Sequence, residues 1–269
     1  MPAYLDSILA SHRAAAAVDA RDVGAVTEAA MEVDRRVGAS GRRDFVGALV
    51  RGRSDRGMAV ISEIKRRSPS KGDLDVALDP AVVAEEYEAG GASCLSVLTD
   101  EAFFGGSRDD LVAARAACSL PVLRKDFTVG ALDVCDARIM GADAVLLIVA
   151  ALDDGELTEL SALTRALGMA ALFEVHDEAE LDRALAAGAD LIGVNQRDLR
   201  TFEVDRDRAV RMGERMPAGV VAVAESGIRD AADVARLAGA GYAAVLVGET
   251  LVRSADRISA VDGLLGARA

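Results

Sequence analysis

Histidine and cysteine are scarce in this sequence. Among its 269 residues only His12 and His176 are histidines, and only Cys94, Cys118 and Cys135 are cysteines. The cysteine count is odd and no C-x-x-C pair occurs, which argues against a disulfide framework and for a reduced, cytosolic chain. Two distant histidines and scattered thiols supply no ligand spacing for zinc, so no metal is expected. Long apolar runs are missing too. The longest, Ala144–Leu152, falls well short of the ~20 residues of a membrane span. The opening residues Met1-Pro2-Ala3-Tyr4-Leu5-Asp6 lack the basic and then apolar pattern of a signal peptide. Positive charge is in deficit: 31 Lys and Arg against 44 Asp and Glu leave a net charge of −13. Nucleic-acid backbones would be repelled, and no basic stripe with interleaved aromatics offsets this. These absences leave a cytoplasmic chain with no membrane and no nucleic-acid partner. A small anion is still admissible, because backbone N–H groups and helix N-termini can hold phosphate locally.

What is present is a large apolar fraction, 51%, and a repeat. Four segments share a helix end closed by a small residue and glycine, followed by a short apolar run. They are Tyr87–Ser93, Ala137–Asp143, Ala186–Asp190 and Ala238–Tyr242. The runs that follow, Cys94–Leu98, Ala144–Val149, Leu191–Val194 and Ala243–Val247, read as buried parallel strands. The repeats stand roughly fifty residues apart and a βα unit takes about thirty or somewhat less, so each interval holds two units. The intervening strands are Val60–Lys65 at the start, Pro121–Lys125, Ala170–Glu174 and Gly219–Glu225. Eight βα units in this length predict an α/β fold, a closed (β/α)8 (TIM) barrel, with a doubly wound sheet as the alternative. Residues 1–57 precede the first strand and predict helices over Leu5–Ala17, Val23–Val37 and Phe45–Arg51. They are expected to cap the barrel floor or lean over its mouth. No low-complexity linker separates them, so residues 1–269 are expected to form one domain with 1–57 as a helical extension.

In such barrels the strand C-terminal ends carry chemistry. Here all but the fourth strand end in polar residues, including Glu63 and Lys65, Lys125, Glu174, Asn195 with Arg197, Glu225 and Glu249. Period-two alternation puts Ile61, Glu63 and Lys65 in one row, Leu123 and Lys125 in another, and Val221, Val223 and Glu225 in a third. If the lower members fill the barrel, the charged upper ones meet at its mouth. Crowding would then lower lysine pKa values and raise glutamate ones, bringing both toward neutrality. A structural ion-pair ring is the bland alternative. Phosphate is expected at Ser226-Gly227 and Gly248-Glu249-Thr250, after strands 7 and 8. Gly105-Gly106-Ser107 is either a third such place or a turn with Ser107 as N-cap. The basic loop Arg66–Gly72 is expected to be a lid bringing Ser68 and positive charge to an anion.

At these residues the sequence resembles the indole-3-glycerol-phosphate synthase family of tryptophan biosynthesis. The matching stretches are Glu63–Gly72, Ser96–Asp100 with Phe103–Ser107, Arg124–Phe127, Gly193–Leu199 and Ala224–Ile228. The resemblance implies a carboxy-lyase. It would close the indole ring of 1-(2-carboxyphenylamino)-1-deoxyribulose 5-phosphate, losing CO2 and water, with no metal or organic cofactor. It implies Lys125 as general acid and Glu174 as its acid/base partner. Lys65 would hold the substrate carboxylate, and Glu63 would orient the lysines. Asn195 and Glu225 would bind hydroxyls and shape the site. Ser68, Arg197, Ser226, Gly227, Gly248 and Glu249 would hold substrate and phosphate. Phe104, Phe127 and Leu146 would wall the aryl ring. A small phosphorylated substrate is the expected partner, and a monomer the expected assembly, with a dimer as the alternative. Two competing readings stand beside this one. One is a Schiff-base aldolase with Lys125 or Lys65 as nucleophile. The other is a non-catalytic barrel serving as a partner subunit.

Overall fold

The computed structural model describes residues 4–198 and 201–266. Leu199, the last residue of one motif above, and the terminal residues 1–3 and 267–269 lie outside the described residues.

Eight parallel strands close on themselves. They are β1 (Ala59–Ile64), β2 (Cys94–Leu98), β3 (Val122–Lys125), β4 (Ala144–Ile148), β5 (Ala170–Val175), β6 (Leu191–Asn195), β7 (Val221–Glu225) and β8 (Ala244–Val247). Closure is set by β1, which pairs with β8 through Ile61 and Leu246 and with β2 through Ile61 and Cys94. The expected strands are all present, with ends shifted by one or two residues. Helices α4 (Pro80–Ala89), α6 (Arg108–Ala117), α7 (Ala131–Met140), α8 (Asp154–Ala166), α9 (Glu178–Ala186), α10 (Arg208–Gly213), α11 (Ala231–Gly239) and α13 (Arg257–Leu265) alternate with them. The short α5 (Glu101–Phe104) and α12 (Glu249–Val252) sit in the loops after β2 and β8. Each repeat junction places a glycine in the left-handed region, Gly91, Gly141, Gly188 and Gly241, which is how helix turns back into strand within so few residues.

The two faces of the strands build two separate cores. Val60, Val97, Leu147, Phe173, Val194, Ala224 and Val245 face the helices. Ile61, Cys94, Leu123, Leu146, Leu172, Val223 and Leu246 fill the barrel. The inward row therefore runs apolar below and charged above, as the alternation predicts.

The N-terminal segment does both of the things expected of it. Helix α3 (Phe45–Arg56) plugs the floor: Phe45 and Leu49 are buried in the same cluster as Ile61 and Leu123. Helix α1 (Tyr4–Val18) reaches the mouth, where Leu5 and Ile8 line the cavity. Between them α2 (Val23–Gly41) packs along α7, with Thr27 Oγ1 3.5 Å from Cys135 Sγ.

At the lower rim, just before β4, the buried Asp143 carboxylate accepts from the Arg115 guanidinium and from Val122 N at 3.0 Å and Arg43 N at 3.3 Å. Removing the cation strands a charge in a site only 1% exposed. Arg115→Ala is expected to cost about 3 kcal/mol of stability, read as a lower urea midpoint. Turnover per folded molecule should stay at the parent level, because the pair lies at the opposite end of the barrel from the mouth.

Candidate active site

Above the inner apolar row, the side chains of Glu63, Lys125, Glu174, Asn195 and Glu225 converge in a cavity of about 630 Å³ at the C-terminal ends of the strands. Register sets their heights. Asn195 is paired with Glu225 across β6 and β7, and Ile148 with Glu174 across β4 and β5. Lys65 lies one residue beyond β1 and folds back to pair with Glu63.

Lys125 is the centre. Its Nζ donates to Glu174 Oε2 and to Glu225 Oε2, each at 2.8 Å. Burial works against the charge on Lys125, but Glu174, Glu225 and Glu63 outweigh it and hold its pKa above the usual lysine range. Burial would raise Glu174 too, yet Lys125 and His176 overcome it and hold Glu174 below the usual carboxylate range. At Glu225 burial prevails. Together with the charges of Glu174 and Glu63, and against Lys125, it pushes that carboxyl up to about 7. The expected drift toward neutrality thus holds for Glu225 and fails for Lys125 and Glu174. The expectation rested on crowding alone, whereas the fold places the lysine between two carboxylates.

Glycine makes room for these acids. A Cβ on Gly193 would collide with Glu225 Oε1, and one on Gly248 with Glu63 Oε1. The amide of Gln196 ties two loops by donating to Ser226 O at 2.8 Å, and Asn195 Oδ1 accepts from Arg197 N at 3.0 Å.

On one side of the cavity Ser226 and Gly227 follow β7 with consecutive positive φ values of 66° and 73°. For serine that conformation costs about 1–2 kcal/mol. Successive residues of this kind turn backbone N–H groups into a concavity suited to an anion. Gly248 begins α12 beside it, and Thr250 Oγ1 donates to Ile228 O at 2.9 Å, joining the loops after β7 and β8. Glu249 turns its carboxylate toward Lys71 and Arg253, each at 3.9 Å. On the other side Phe104, Phe127 and Leu146 line the cavity, the two rings 6.2 Å apart between centroids. Every site residue expected from the sequence lines this one cavity.

Two expectations need correction in detail. The Arg66–Gly72 loop does lean over the cavity as a hairpin of Arg67–Ser68 with Gly72–Asp73, and Ser68 and Lys71 face inward. Arg66 and Arg67, however, bring no charge to it. Arg66 is locked onto Asp110 of α6, and Arg67 donates to the carbonyls of Glu101 and Ala102. Of the two readings of Gly105–Ser107 the turn holds: none of the three lines the cavity, and Ser107 Oγ accepts from Asp110 N at 3.2 Å as N-cap.

Both histidines belong to the site's surroundings, which the sequence reasoning missed. His176 follows Glu174 by two residues, and the period-two rule applied to Glu63 and Lys65 would have found it. His12 of α1 sits against Asp100 at 2.9 Å and packs on the Phe127 ring at 5.3 Å. Its pKa is raised, chiefly by the hydrogen bond to Asp100. Nothing in the sequence signals that long-range pairing. His12, Asp100 and Asp126 bring possible metal-ligand atoms within 4.8 Å of one another. Both carboxylates are engaged within the protein, Asp100 by Phe103 N, Phe104 N and His12, and Asp126 by Arg124, Thr99 and Phe127 N. The cluster is a structural latch.

A closed parallel barrel with a buried lysine–glutamate cluster in its mouth and a backbone concavity after its seventh strand defines a class, the (β/α)8-barrel enzymes. Likeness to solved structures supports the fold. A 3-hexulose-6-phosphate synthase superposes with a TM-score of 0.60 at 19% identity, over 79% of this chain and 100% of that one. A thiamine phosphate pyrophosphorylase from Pyrococcus furiosus gives 0.58 at 15%, over 78% and 94%.

Sequence comparison narrows the class. The family model "Indole-3-glycerol phosphate synthase" matches residues 5–264. The protein of that name from Mycolicibacterium vanbaalenii is 51% identical over 98% of this chain and 94% of its own length. "Indole-3-glycerol phosphate synthase 2" of Streptomyces coelicolor is 55% identical over 83% and 85%. The chain therefore belongs to the indole-3-glycerol phosphate synthase family, whose members are carboxy-lyases acting on a small phosphorylated substrate. No helix among the described residues is long and apolar enough to cross a membrane.

Close packing at Gly193 gives a test. Gly193→Ala leaves a strand residue with ordinary backbone needs but forces Glu225 away from Lys125. Turnover is expected to drop by about tenfold or more while the thermal midpoint moves by only a few degrees. Unchanged turnover would show that the Glu225 contact with Lys125 is dispensable.

Proposed function

We propose that this chain converts 1-(2-carboxyphenylamino)-1-deoxyribulose 5-phosphate to indole-3-glycerol phosphate, with Lys125 as the proton donor. The observation that carries the reading is Lys125 held at 2.8 Å from both Glu174 and Glu225, between an apolar wall and a backbone nest.

The substrate has three ends with different chemistry, and the cavity offers a counterpart for each. The phosphate fits the N–H groups of Ser226, Gly227, Gly248 and Glu249, with Ser68 and Lys71 above them. Arg197 contributes through its place in the wall, its guanidinium steadied by Phe202 O at 3.0 Å. The aryl ring fits against Phe104, Phe127 and Leu146. The substrate carboxylate fits Lys65, which Glu63 orients. This arrangement brings the ketone near Lys125.

Proton transfer from Lys125 to the ketone oxygen promotes attack by the aryl carbon that bears the carboxylate. A carbon–carbon bond forms, and the C–CO2 bond breaks to restore the aromatic ring. The new hydroxyl then leaves as water while Glu174 relays the balancing proton. Asn195 and Glu225 hold the sugar hydroxyls. A charged Lys125 favours this role over the aldolase one, because a Schiff base needs a neutral amine and the flanking carboxylates keep the proton on. All three cysteines are buried and free, which suits a cytoplasmic setting. We read the chain as a monomer and residues 1–57 as part of the same domain, since α3 and α1 complete the barrel's floor and mouth.

Purified protein mixed with this substrate, without added metal, is expected to give indole absorbance and fluorescence. Folded protein that yields none at neutral pH would overturn the reading. Lys125→Ala should abolish turnover while substrate affinity stays within about tenfold, as for a group acting mainly in the transition state. A substrate-dependent adduct on Lys125 trapped by borohydride would replace the acid role with a nucleophilic one.

A further inference from the structure

The roles assigned above leave His176 unused, although its ring is only 12% exposed and lies behind Glu174, outside the cavity lining. Two anchors fix it. Its Nδ1 lies 3.0 Å from Glu180 Oε2, and its backbone N–H donates to that same oxygen at 2.8 Å. Glu180 sits in the first turn of α9, so the helix sets the rotation of the imidazole. Nε2 is thereby aimed at Glu174 Oε1, 3.4 Å away in an ion-pair contact that lacks hydrogen-bond geometry, while the other oxygen of Glu174 accepts from Lys125. Glu174 thus stands between two basic groups. Glu225 shares only Lys125, and its Oε1 has no hydrogen-bond partner among the described residues. Both carboxylates grip the one ammonium, but only Glu174 has the imidazole beside it, and the Glu63 charge bears on Glu225.

We propose that His176 is a positioning residue for the ring closure: clamped by Glu180, it orients the Glu174 carboxylate and makes it the charge-bearing member of the pair around Lys125. The proposal rests on Glu174 being the acid/base partner of Lys125. It follows that the proton shared by the pair resides on Glu225, which can donate to a substrate hydroxyl, while Glu174 stays ready to accept. Burial opposes charge on the ring, but Glu174 and Glu180 outweigh it and carry its pKa up to about 9. The imidazole is therefore a cation at neutral pH and loses its charge as pH rises through about 9. The charged groups around it are Glu174 on β5 and Glu180 on α9, with Lys125 on β3 and Glu225 on β7 one contact further. Arg183 of α9 is turned away to Asp154 and Val149 O. The flanking strands β4 and β6 end in Ile148 and Asn195, neither of which is charged.

The chain has two histidines, so nitrogen-15 NMR of the imidazoles resolves His176 directly in the parent protein. Both of its nitrogens are expected to carry protons at neutral pH, and a neutral ring there would overturn the proposal. His176→Gln should lower kcat by about tenfold with KM within about twofold. It should also move the high-pH limb of the kcat profile by one unit or more. Glu180→Gln, a milder change at the edge of the site, should shift the same limb in the same direction and decides the matter if His176→Gln fails to fold. A limb that stays put in Glu180→Gln sinks the proposal. Glu174→Gln separates the two layers. If it retains turnover, the role of Glu174 itself fails. If it abolishes turnover while the His176 and Glu180 variants behave as the parent, only the role of His176 fails.

Discussion

One buried lysine held by two buried glutamates organises the upper half of this barrel. Taking each such ion out of water costs several kcal/mol, and the cost is recovered only if the partners are fixed within hydrogen-bonding reach. Lys125, Glu174 and Glu225 come from β3, β5 and β7, so no local segment could hold them together. Barrel closure does. The apolar inner row of Leu123, Leu172 and Val223 sets the three strands at fixed heights, and the charged residues emerge two positions above. The excess of acid over base in this triad then forces one carboxyl toward its neutral form. That imbalance leaves Glu225 with a pKa raised to about 7, within reach of neutral pH.

The fold and the inward-facing charged rows were legible in the sequence because both rest on periodicities, whereas the aromatic wall came only from the resemblance. Parallel strands buried on both faces leave apolar runs, and alternation then says which end residue points inward. The exact strand ends slipped by a residue or two because β1 stops at Ile64 and Lys65 reaches back by its long side chain. What the sequence withheld was the sign of the couplings. Whether a lysine at a crowded mouth meets ammonium or carboxylate neighbours depends on which strands lie opposite, and that is a property of closure. The same limit hid the latch between His12 and Asp100, residues 88 apart in the chain. It also hid the turning away of Arg66 and Arg67, whose partners lie in α6 and α5.

The helical extension takes on a role through that latch. Asp100 is both the partner of His12 and the N-cap of α5, the short helix that carries Phe104. The His12 ring also rests on Phe127. One residue of α1 therefore touches the supports of both aromatic walls. Ile8 and Leu5, one and two turns earlier on the same helix, add apolar surface to the cavity. The segment before the first strand thus contributes to the cavity wall.

Glu63 links the two ends of the cavity. Its carboxylate holds Lys65, adds negative potential at Lys125 and Glu225, and lies where Gly248 lacks a side chain. Gly248 is also the residue from which α12 starts beside the Ser226-Gly227 turn. An anion drawn to the N–H groups there and a carboxylate competing for Lys65 would both act on Glu63. Freed from Lys65, the Glu63 charge would bear more strongly on Glu225 and favour its protonated form. Binding of the substrate's two anionic ends would then strengthen the division of labour between Glu174 and Glu225 at the moment the ketone arrives. The geometry makes this coupling short-ranged, because it runs through one carboxylate and not through a movement of the barrel.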